Sequence, residues 1–175
     1  MTEIAAPSLL AELPARHAAR HPGAVALHFD GLDIRYAELA RDVERLAGHL
    51  WHGLGVRPGD RVAWLGANHP LQVALLYALA RIGAVLLPLN FRLAPAEWDA
   101  LVADCTPRHV FHDASCAQAA RDLAQRNGLV AHAGDEGDDA GGATAPSTAE
   151  ANSPVLLVYT SGTTSRPKAA VHTQA

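Results

Sequence analysis

The chain has 175 residues, 49% of them hydrophobic and 18% charged, which is typical of a globular domain with a core and excludes a disordered chain. The formal net charge of −4 at pH 7 leaves no excess of basic residues, so we expect no nucleic-acid partner. Glu3 stands where a secretory signal would be positively charged, and no export signal is expected.

Apolar spacing predicts the elements of the first part of the chain. The predictions are a helix over 8–21 capped by Ser8, a strand over 24–29, a turn over 30–33, a helix over 36–51 and a strand over 61–66. The helix over 36–51 is the clearest, because its apolar residues recur at i, i+3, i+4 and i+7, and Gly53 and Gly55 follow it. His17 and His21 have a spacing that could hold a metal, but without a third ligand we expect both at the surface.

The stretch 71–89 is nearly apolar over a length that could span a membrane. Arg81 lies at its centre, where a charge costs at least about 2.5 kcal/mol in a bilayer, and Gly83 interrupts it soon afterwards. We therefore predict a buried helix over 71–82 followed by a buried strand over 84–89, and no transmembrane segment.

Helices and strands continue to alternate up to residue 132. The predictions are a helix from Pro95 to Cys105, a strand over 108–113, a helix over 114–128 and a strand over 129–132. This alternation predicts an α/β fold with a mostly parallel sheet and helices on both faces. Cys105 and Cys116 lack the CxxC spacing of metal and redox sites, so we expect two reduced thiols in a cytoplasmic protein.

Residues 133–152 differ from the rest because they are small, acidic and without periodicity. We expect a flexible, solvated linker rich in glycine and alanine, rather than a metal site built from its acidic run. The region 154–175 is predicted to be a strand, a loop and a second strand. The loop leaves the carboxyl end of the strand over 154–159, which is where open α/β sheets bind their ligands.

The loop reads TSGTTSRPK over residues 160–168, with five hydroxyl side chains around Gly162. Lys168 is the only lysine in the chain, against thirteen arginines. Glycine, successive backbone amides, hydroxyl donors and a compact positive charge together favour a phosphate-binding loop. The Walker A pattern is excluded, because a second glycine is missing and Ala169 follows the lysine. The residues alone leave open a plain turn with a solvated lysine.

Two blocks of the sequence resemble a known family. YTSGTTSRPKAAVHT, from Tyr159, resembles the phosphate-loop motif of the adenylate-forming superfamily, Y-T-S-G-T-T-G-x-P-K-G-V. YAELARDVERLAGHLWHGLGVRPGDRVAWLGANHPLQVALLYALARIGAVLLPLNFRLAPAEW, from Tyr36, is similar to the N-terminal block of that family. The stretch GAVLLPLNFRLAPAEW resembles acyl- and aryl-CoA ligases more than peptide-synthetase adenylation domains.

The resemblance implies that residues 1–175 are the first part of the large N-terminal AMP-binding domain of an adenylate-forming enzyme. It implies an AMP-forming acyl-CoA ligase, which uses ATP and Mg²⁺ to activate a carboxylic acid and has CoA as co-substrate. The residues that it assigns to the β- and γ-phosphates of ATP are Thr160, Ser161, Gly162, Thr163, Thr164, Ser165 and Lys168. Thr160 would also contact Mg²⁺, and Lys168 would clamp the phosphates by its charge.

Three residues depart from the family pattern: Ser165 and Ala169 replace common glycines, and Gln174 stands where histidine often follows. These departures concern loop geometry and affinity. The resemblance also places the catalytic residues downstream, so these 175 residues alone are expected to be inactive. A non-catalytic ATP- or pyrophosphate-binding half-domain and a peptide-synthetase-type adenylation fragment are the alternatives.

Overall fold

A computed structural model of the chain describes residues 9–134, 143–160 and 168–175. The helices are α1 (Leu13–Arg20), α2 (Tyr36–Gly48), α3 (Pro70–Arg81), α4 (Pro95–Cys105) and α5 (Ala117–Asn127). The strands are β1 (Val25–Phe29), β2 (Leu32–Arg35), β3 (Arg61–Leu65), β4 (Val85–Leu89), β5 (His109–His112), β6 (Val130–Ala133), β7 (Pro154–Thr160) and β8 (Lys168–Thr173). Short 3-10 turns cover Leu10–Glu12 and Ala114–Cys116, and a π-helical turn over His49–Gly53 extends α2.

Six strands form the main sheet, in the order β6-β5-β3-β4-β7-β8. The central strand β3 pairs in parallel with β4 and β5, and the parallel pairing continues outward to β7 and β6. Among the described strands of this sheet, β8 alone is antiparallel, and it pairs with β7. The predicted α/β fold with a mostly parallel sheet is therefore confirmed.

The central strand β3 shows why helices cover both faces of the sheet. Val62 and Trp64 lie in a core shared with α2 and α3, whereas Ala63 and Leu65 lie in a core shared with α4 and α5. All four side chains are at most 1% exposed. A strand buried on both faces is apolar at successive positions rather than alternating, and the sequence VAWL has this pattern.

A separate two-stranded hairpin, β1–β2, was not anticipated in full from the sequence. Asp30 (φ 49°) and Gly31 (φ 76°) form its turn, as expected when a two-residue connection must match the twist of the strands. The turn predicted over 30–33 is thus two residues too long. β2 reads LDIR and alternates apolar and polar residues over four positions, the shortest length at which alternation indicates a strand, and the predicted turn includes its first two residues.

Most helix ends agree with the predicted bounds to within about one turn, but α1 begins at Leu13, five residues after the predicted start, and a 3-10 turn covers Leu10–Glu12. α4 begins at Pro95, as predicted, and ends before Thr106, which has the left-handed conformation at φ 47°. α5 is closed by Gly128 at φ 69°, but the turn that precedes this helix is 3-10 and is capped by Asp113. The proposed cap Ser8 lies outside the described residues.

The apolar stretch 71–89 forms α3 and β4, as predicted. Arg81, the last residue of α3, has a side chain that is 20% exposed and forms an ion pair with Glu44 of α2 at 2.8 Å. In the described parts of the chain, no helix is both long enough and apolar enough to cross a membrane.

The described residues of the predicted linker are 133–134 and 143–152. Ala133 belongs to β6, so the strand extends one residue into the predicted linker, and residues 143–152 follow the surface of the α2–α3 layer. Ala145 is 2% exposed, and its carbonyl oxygen accepts a hydrogen bond from the side chain of Arg81 at 3.4 Å. The N–H of Thr148 donates to the carbonyl oxygen of Arg81 at 3.0 Å. Most neighbouring residues are exposed, and Ala149 packs against a small core cluster that includes Ala80, so residues 143–152 form a surface segment attached to the core at several points. The acidic run over 135–142 lies outside the described residues.

Gly83→Ala is expected to destabilise the fold by about 1–2 kcal/mol or more, because Gly83 has φ 69°, a conformation that disfavours a Cβ atom. The added Cβ would also lie 2.9 Å from Oγ1 of Thr148. Urea denaturation measures the loss. Adding Thr148→Ala removes the close contact and should recover part of the stability. If the free-energy changes of the two single substitutions simply added up in the double variant, the hydroxyl of Thr148 would not be in contact with residue 83.

Candidate functional site

The predicted phosphate loop leaves the sheet at the carboxyl end of β7 and returns as β8. Thr160 ends β7 and Lys168 begins β8, and the two residues lie directly opposite each other in the antiparallel pairing. The structure therefore describes both ends of the loop. Five of the predicted phosphate-binding residues lie outside the described residues: Ser161, Gly162, Thr163, Thr164 and Ser165.

Lys168 is exposed, as are all six residues of β8. Within the described ranges, no ion pair joins Lys168 to another residue. An exposed ammonium group is a rotatable point charge with three donors, which suits an anionic ligand. The base of the loop thus carries a positive charge that an anion could reach.

A cavity of about 300 Å³ lies at the same edge of the sheet, at the ends of β3, β4 and β7. Its lining includes apolar side chains and three amides, Asn68, Gln72 and Asn90. The carbonyl oxygen of Asn90 accepts from Nε1 of Trp98 at 2.9 Å, and its side-chain oxygen accepts from the N–H of Arg92 at 3.0 Å. None of these amides was predicted as a binding residue from the sequence. The available signal was that Asn68 and Asn90 each closely follow a buried strand.

Tyr159, the residue before Thr160, joins the end of β7 to α4. Its hydroxyl donates to the carboxylate of Asp104 and lies 2.9 Å from Sγ of Cys105. Burial, followed by the hydrogen bond to Asp104, raises the pKa of Tyr159, so it stays a neutral donor and does not act as a base. Burial also raises the pKa of the Cys105 thiol, which makes this cysteine a poor nucleophile.

Asp113, which follows β5, joins the end of β3 to the turn before α5. Its carboxylate accepts from the N–H of Ala67 at 2.7 Å, the N–H of Cys116 at 2.9 Å and the hydroxyl of Ser115 at 2.6 Å. Burial acts to raise the pKa of Asp113, but these hydrogen bonds outweigh it and lower the pKa below its ordinary value. Since three donors already bind it, we assign this carboxylate a structural role rather than that of a general base.

The described residues contain no group of three or more His, Cys, Asp or Glu side chains that could hold a metal ion. His17, one of the two histidines with metal-ligand spacing, stacks on the ring of Tyr36 with centroids 4.8 Å apart. At the base of the loop, the described charge is the cation of Lys168. This charge fits a phosphate group and not a bare metal ion, which binds oxygen ligands such as carboxylates.

A pair of histidines connects β5 and β6 on the α2–α3 face of the sheet. Nδ1 of His109 and Nε2 of His132 are 3.0 Å apart, and His132 also stacks on Phe111 with ring centroids 4.8 Å apart. Burial, followed by the nearby charge of Arg108, lowers the pKa of His109. A hydrogen bond between two imidazoles needs one donor and one acceptor, so this contact requires that at least one ring be neutral.

The free energy of unfolding is expected to fall as the pH drops below about 6.5. Because the pKa of His109 is lower in the folded chain, the unfolded chain binds the proton first, and stability is lost from pH 6.5 down to the folded-state pKa. Arg108 and His49 oppose protonation, whereas Asp60 favours it. Urea denaturation on both sides of pH 6.5 should show a shallower pH profile for His109→Asn. His21→Asn, at an exposed site, should retain the wild-type profile, and equal profiles for all three proteins would contradict this assignment.

The chain is similar to known proteins over most of its length. The profile of the family described as AMP-binding enzyme matches residues 14–175. Feruloyl-CoA synthase of an Amycolatopsis species is 42% identical over 164 residues, covering 94% of this chain and 33% of the relative. Indoleacetate–CoA ligase of Aromatoleum aromaticum is 39% identical over 178 residues, covering 94% of this chain and 35% of the relative.

The solved structures contain the same fold. o-Succinylbenzoate CoA synthetase of Bacillus subtilis, in complex with an acyl-adenylate intermediate, matches with a TM-score of 0.79 and 25% identity. The match covers 91% of this chain and 41% of that one. The chain spans about a third of the length of the curated relatives described above.

Proposed function

Because the chain belongs to the AMP-binding enzyme family, we propose that it is the N-terminal part of an AMP-forming acyl-CoA ligase. In this reaction a carboxylic acid attacks the α-phosphate of Mg·ATP, which gives an acyl-adenylate and releases pyrophosphate. The thiol of CoA then displaces AMP and forms the thioester. The two similar CoA ligases support this type over a peptide-synthetase adenylation domain.

The observation that carries the proposal is the pairing of Thr160 with Lys168 at the carboxyl edge of a parallel sheet. Open α/β sheets bind ligands at this edge, and here a loop of family-like sequence begins and ends on adjacent strands. The exposed charge of Lys168 at the base of the loop, and the cavity at the same edge of the sheet, support an anionic ligand with an attached organic group.

In this proposal the loop residues bind the phosphates of ATP and stabilise the charge of the departing pyrophosphate. Lys168 acts by its charge and neither as a general base nor as a nucleophile. The Mg²⁺ ion would neutralise phosphate charge, and Thr160 is the residue proposed to approach it. The remaining phosphate-binding residues of the proposal are Ser161, Gly162, Thr163, Thr164 and Ser165.

CoA and the carboxylic acid are assigned to the complete ligase. Both curated relatives are named for aromatic carboxylic acids, so aromatic acids are the first substrates to test. A cytoplasmic location, expected from the two cysteines, belongs to the same proposal.

Isothermal titration of the folded chain with Mg·ATP and with Mg·pyrophosphate tests the binding part of this proposal. We expect saturable heat for both ligands, and no heat at roughly millimolar ligand would contradict it. Exchange of labelled pyrophosphate into ATP by the longer protein that contains this chain tests the ligase part. Exchange should depend on an added carboxylic acid. Binding without exchange for any acid would instead favour a non-catalytic ATP-binding module.

A further inference from the structure

Gln174 is a buried polar residue at the end of an otherwise exposed strand. It directly follows β8, whose six residues are all exposed, yet Gln174 itself is only 4% exposed. A primary amide is seldom buried without hydrogen bonds, because an unpaired buried donor or acceptor is costly. The contacts of this side chain therefore indicate what holds the end of the strand.

Four hydrogen bonds join Gln174 to three other parts of the chain. Its Nε2 donates to the carbonyl oxygen of Ala80 in α3 at 2.6 Å, and its Oε1 accepts from the N–H of Ala11 at 3.1 Å. Its backbone N–H donates to the carbonyl oxygen of Ser153 at 3.1 Å, and its carbonyl oxygen accepts from the N–H of Leu10 at 3.1 Å. Glutamine thus supplies both a donor and an acceptor to two buried backbone groups.

Because the residues of β8 are exposed, burial of its side chains does not determine how β8 aligns with β7. Where one face of a strand is buried, a slip of one residue would move its apolar side chains from the core to the solvent. The free-energy cost of that exposure specifies the register. Among the residues that the structure describes, none buries a face of β8, so in this chain its side chains specify the register only weakly. A slip of one residue would move Lys168 away from Thr160 and turn its side chain to the opposite face of the sheet.

We propose that Gln174 is a positioning residue that sets the register of β8 and so places Lys168 opposite Thr160 at the base of the phosphate loop. The side-chain contacts to Ala80 and Ala11 exist only when residue 174 occupies this one position along the sheet edge. The role of Lys168 towards phosphate rests on the proposed function, whereas the register itself does not.

The test compares the 175-residue chain with its Gln174→Met variant, which keeps the approximate volume but removes both side-chain hydrogen bonds. NMR contacts across β7–β8 report the register, through the pairs Val158–Ala170 and Tyr159–Ala169. In Gln174→Met we expect these contacts to be lost or replaced by those of a shifted register, while β3–β4 contacts remain. The affinity for Mg·pyrophosphate should weaken about tenfold.

Thr173→Ala is the matched control, because Thr173 is the exposed neighbour and its hydroxyl donates to the carbonyl oxygen of Ala175. It should retain the native register and affinity. If Gln174→Met does not fold, Gln174→Ala removes the same two side-chain hydrogen bonds without burying a charge, and the same shift is expected. A native register in the folded Gln174 variant would overturn the proposal. Failure of the wild-type chain to bind pyrophosphate, with a shifted register in the variant, would instead overturn the proposed function alone.

Discussion

Replacing Trp64 by alanine is expected to lower the free energy of unfolding by about 3–5 kcal/mol, the largest effect that we expect from a single substitution in this chain. Trp64 lies on the central strand β3 and is 1% exposed. Its ring stacks on His69 with centroids 6.1 Å apart, and its Nε1 donates to the carbonyl oxygen of Ala67 at 3.3 Å. Since domains are stable by only about 5–15 kcal/mol, the variant should unfold at much lower urea concentration.

Trp51→Ala is the matched control for this prediction, because it makes the same chemical change at a half-buried site. Trp51 lies on the π-helical turn after α2, with the guanidinium group of Arg57 4.3 Å from its ring centroid. Its removal should destabilise the fold by less than the removal of Trp64. Equal losses for the two variants would show that Trp64 does not lie at the centre of the core.

Lys168→Ala is expected to weaken the binding of Mg·pyrophosphate and Mg·ATP by about tenfold or more. A hydrogen bond to a charged group contributes roughly 1.5–3 kcal/mol, and each 1.4 kcal/mol corresponds to a factor of ten in affinity. Lys168→Arg should retain part of the affinity, because it keeps the charge but changes the shape of the donor. Isothermal titration of the three proteins measures the differences.

Arg20→Ala controls for the loss of one positive charge. Arg20 is exposed at the end of α1, so its removal changes the net charge by the same amount as Lys168→Ala. It should leave both affinities unchanged. If both substitutions weakened the affinities equally, binding would depend on the net charge of the chain and not on Lys168. Lys168 would then be a solvated surface residue.

The fold was predictable where a local pattern determines the structure. The apolar stretch 71–89 could be divided into α3 and β4 because Arg81 and Gly83 interrupt it, and both elements are present. β2 was missed because the turn residues Asp30 and Gly31 precede it directly and its alternating pattern LDIR has only four residues, the minimum for this signal. The placement of the loop at the ligand-binding edge followed from the general behaviour of parallel sheets. β7 itself is mostly half-buried, with Val155 as the buried residue among its described side chains, although its apolar sequence predicts a buried strand.

The contacts around the candidate site were less predictable, because they join residues that are distant in the sequence. Gln174 stood out in the sequence only as a departure from the family pattern. Its hydrogen bonds to Leu10, Ala11, Ala80 and Ser153 depend on the relative position of three segments. The cavity at this edge of the sheet likewise requires the ends of β3, β4 and β7 to be adjacent, and local periodicity contains no information on strand order.

The cross-strand pairing of Thr160 and Lys168 also affects the entropy of ligand binding. The β7–β8 pairing holds the two ends of the loop about 5 Å apart. Bringing the ends of a loop together reduces the conformational entropy of the chain. In this chain the entropy is lost when β7 and β8 pair during folding, and not when a ligand binds. A phosphate ligand would therefore not have to bring these two ends together, which leaves more of its interaction energy as affinity. A substitution that releases β8, even one as far from the loop as Gln174, would transfer this entropic cost to the binding step.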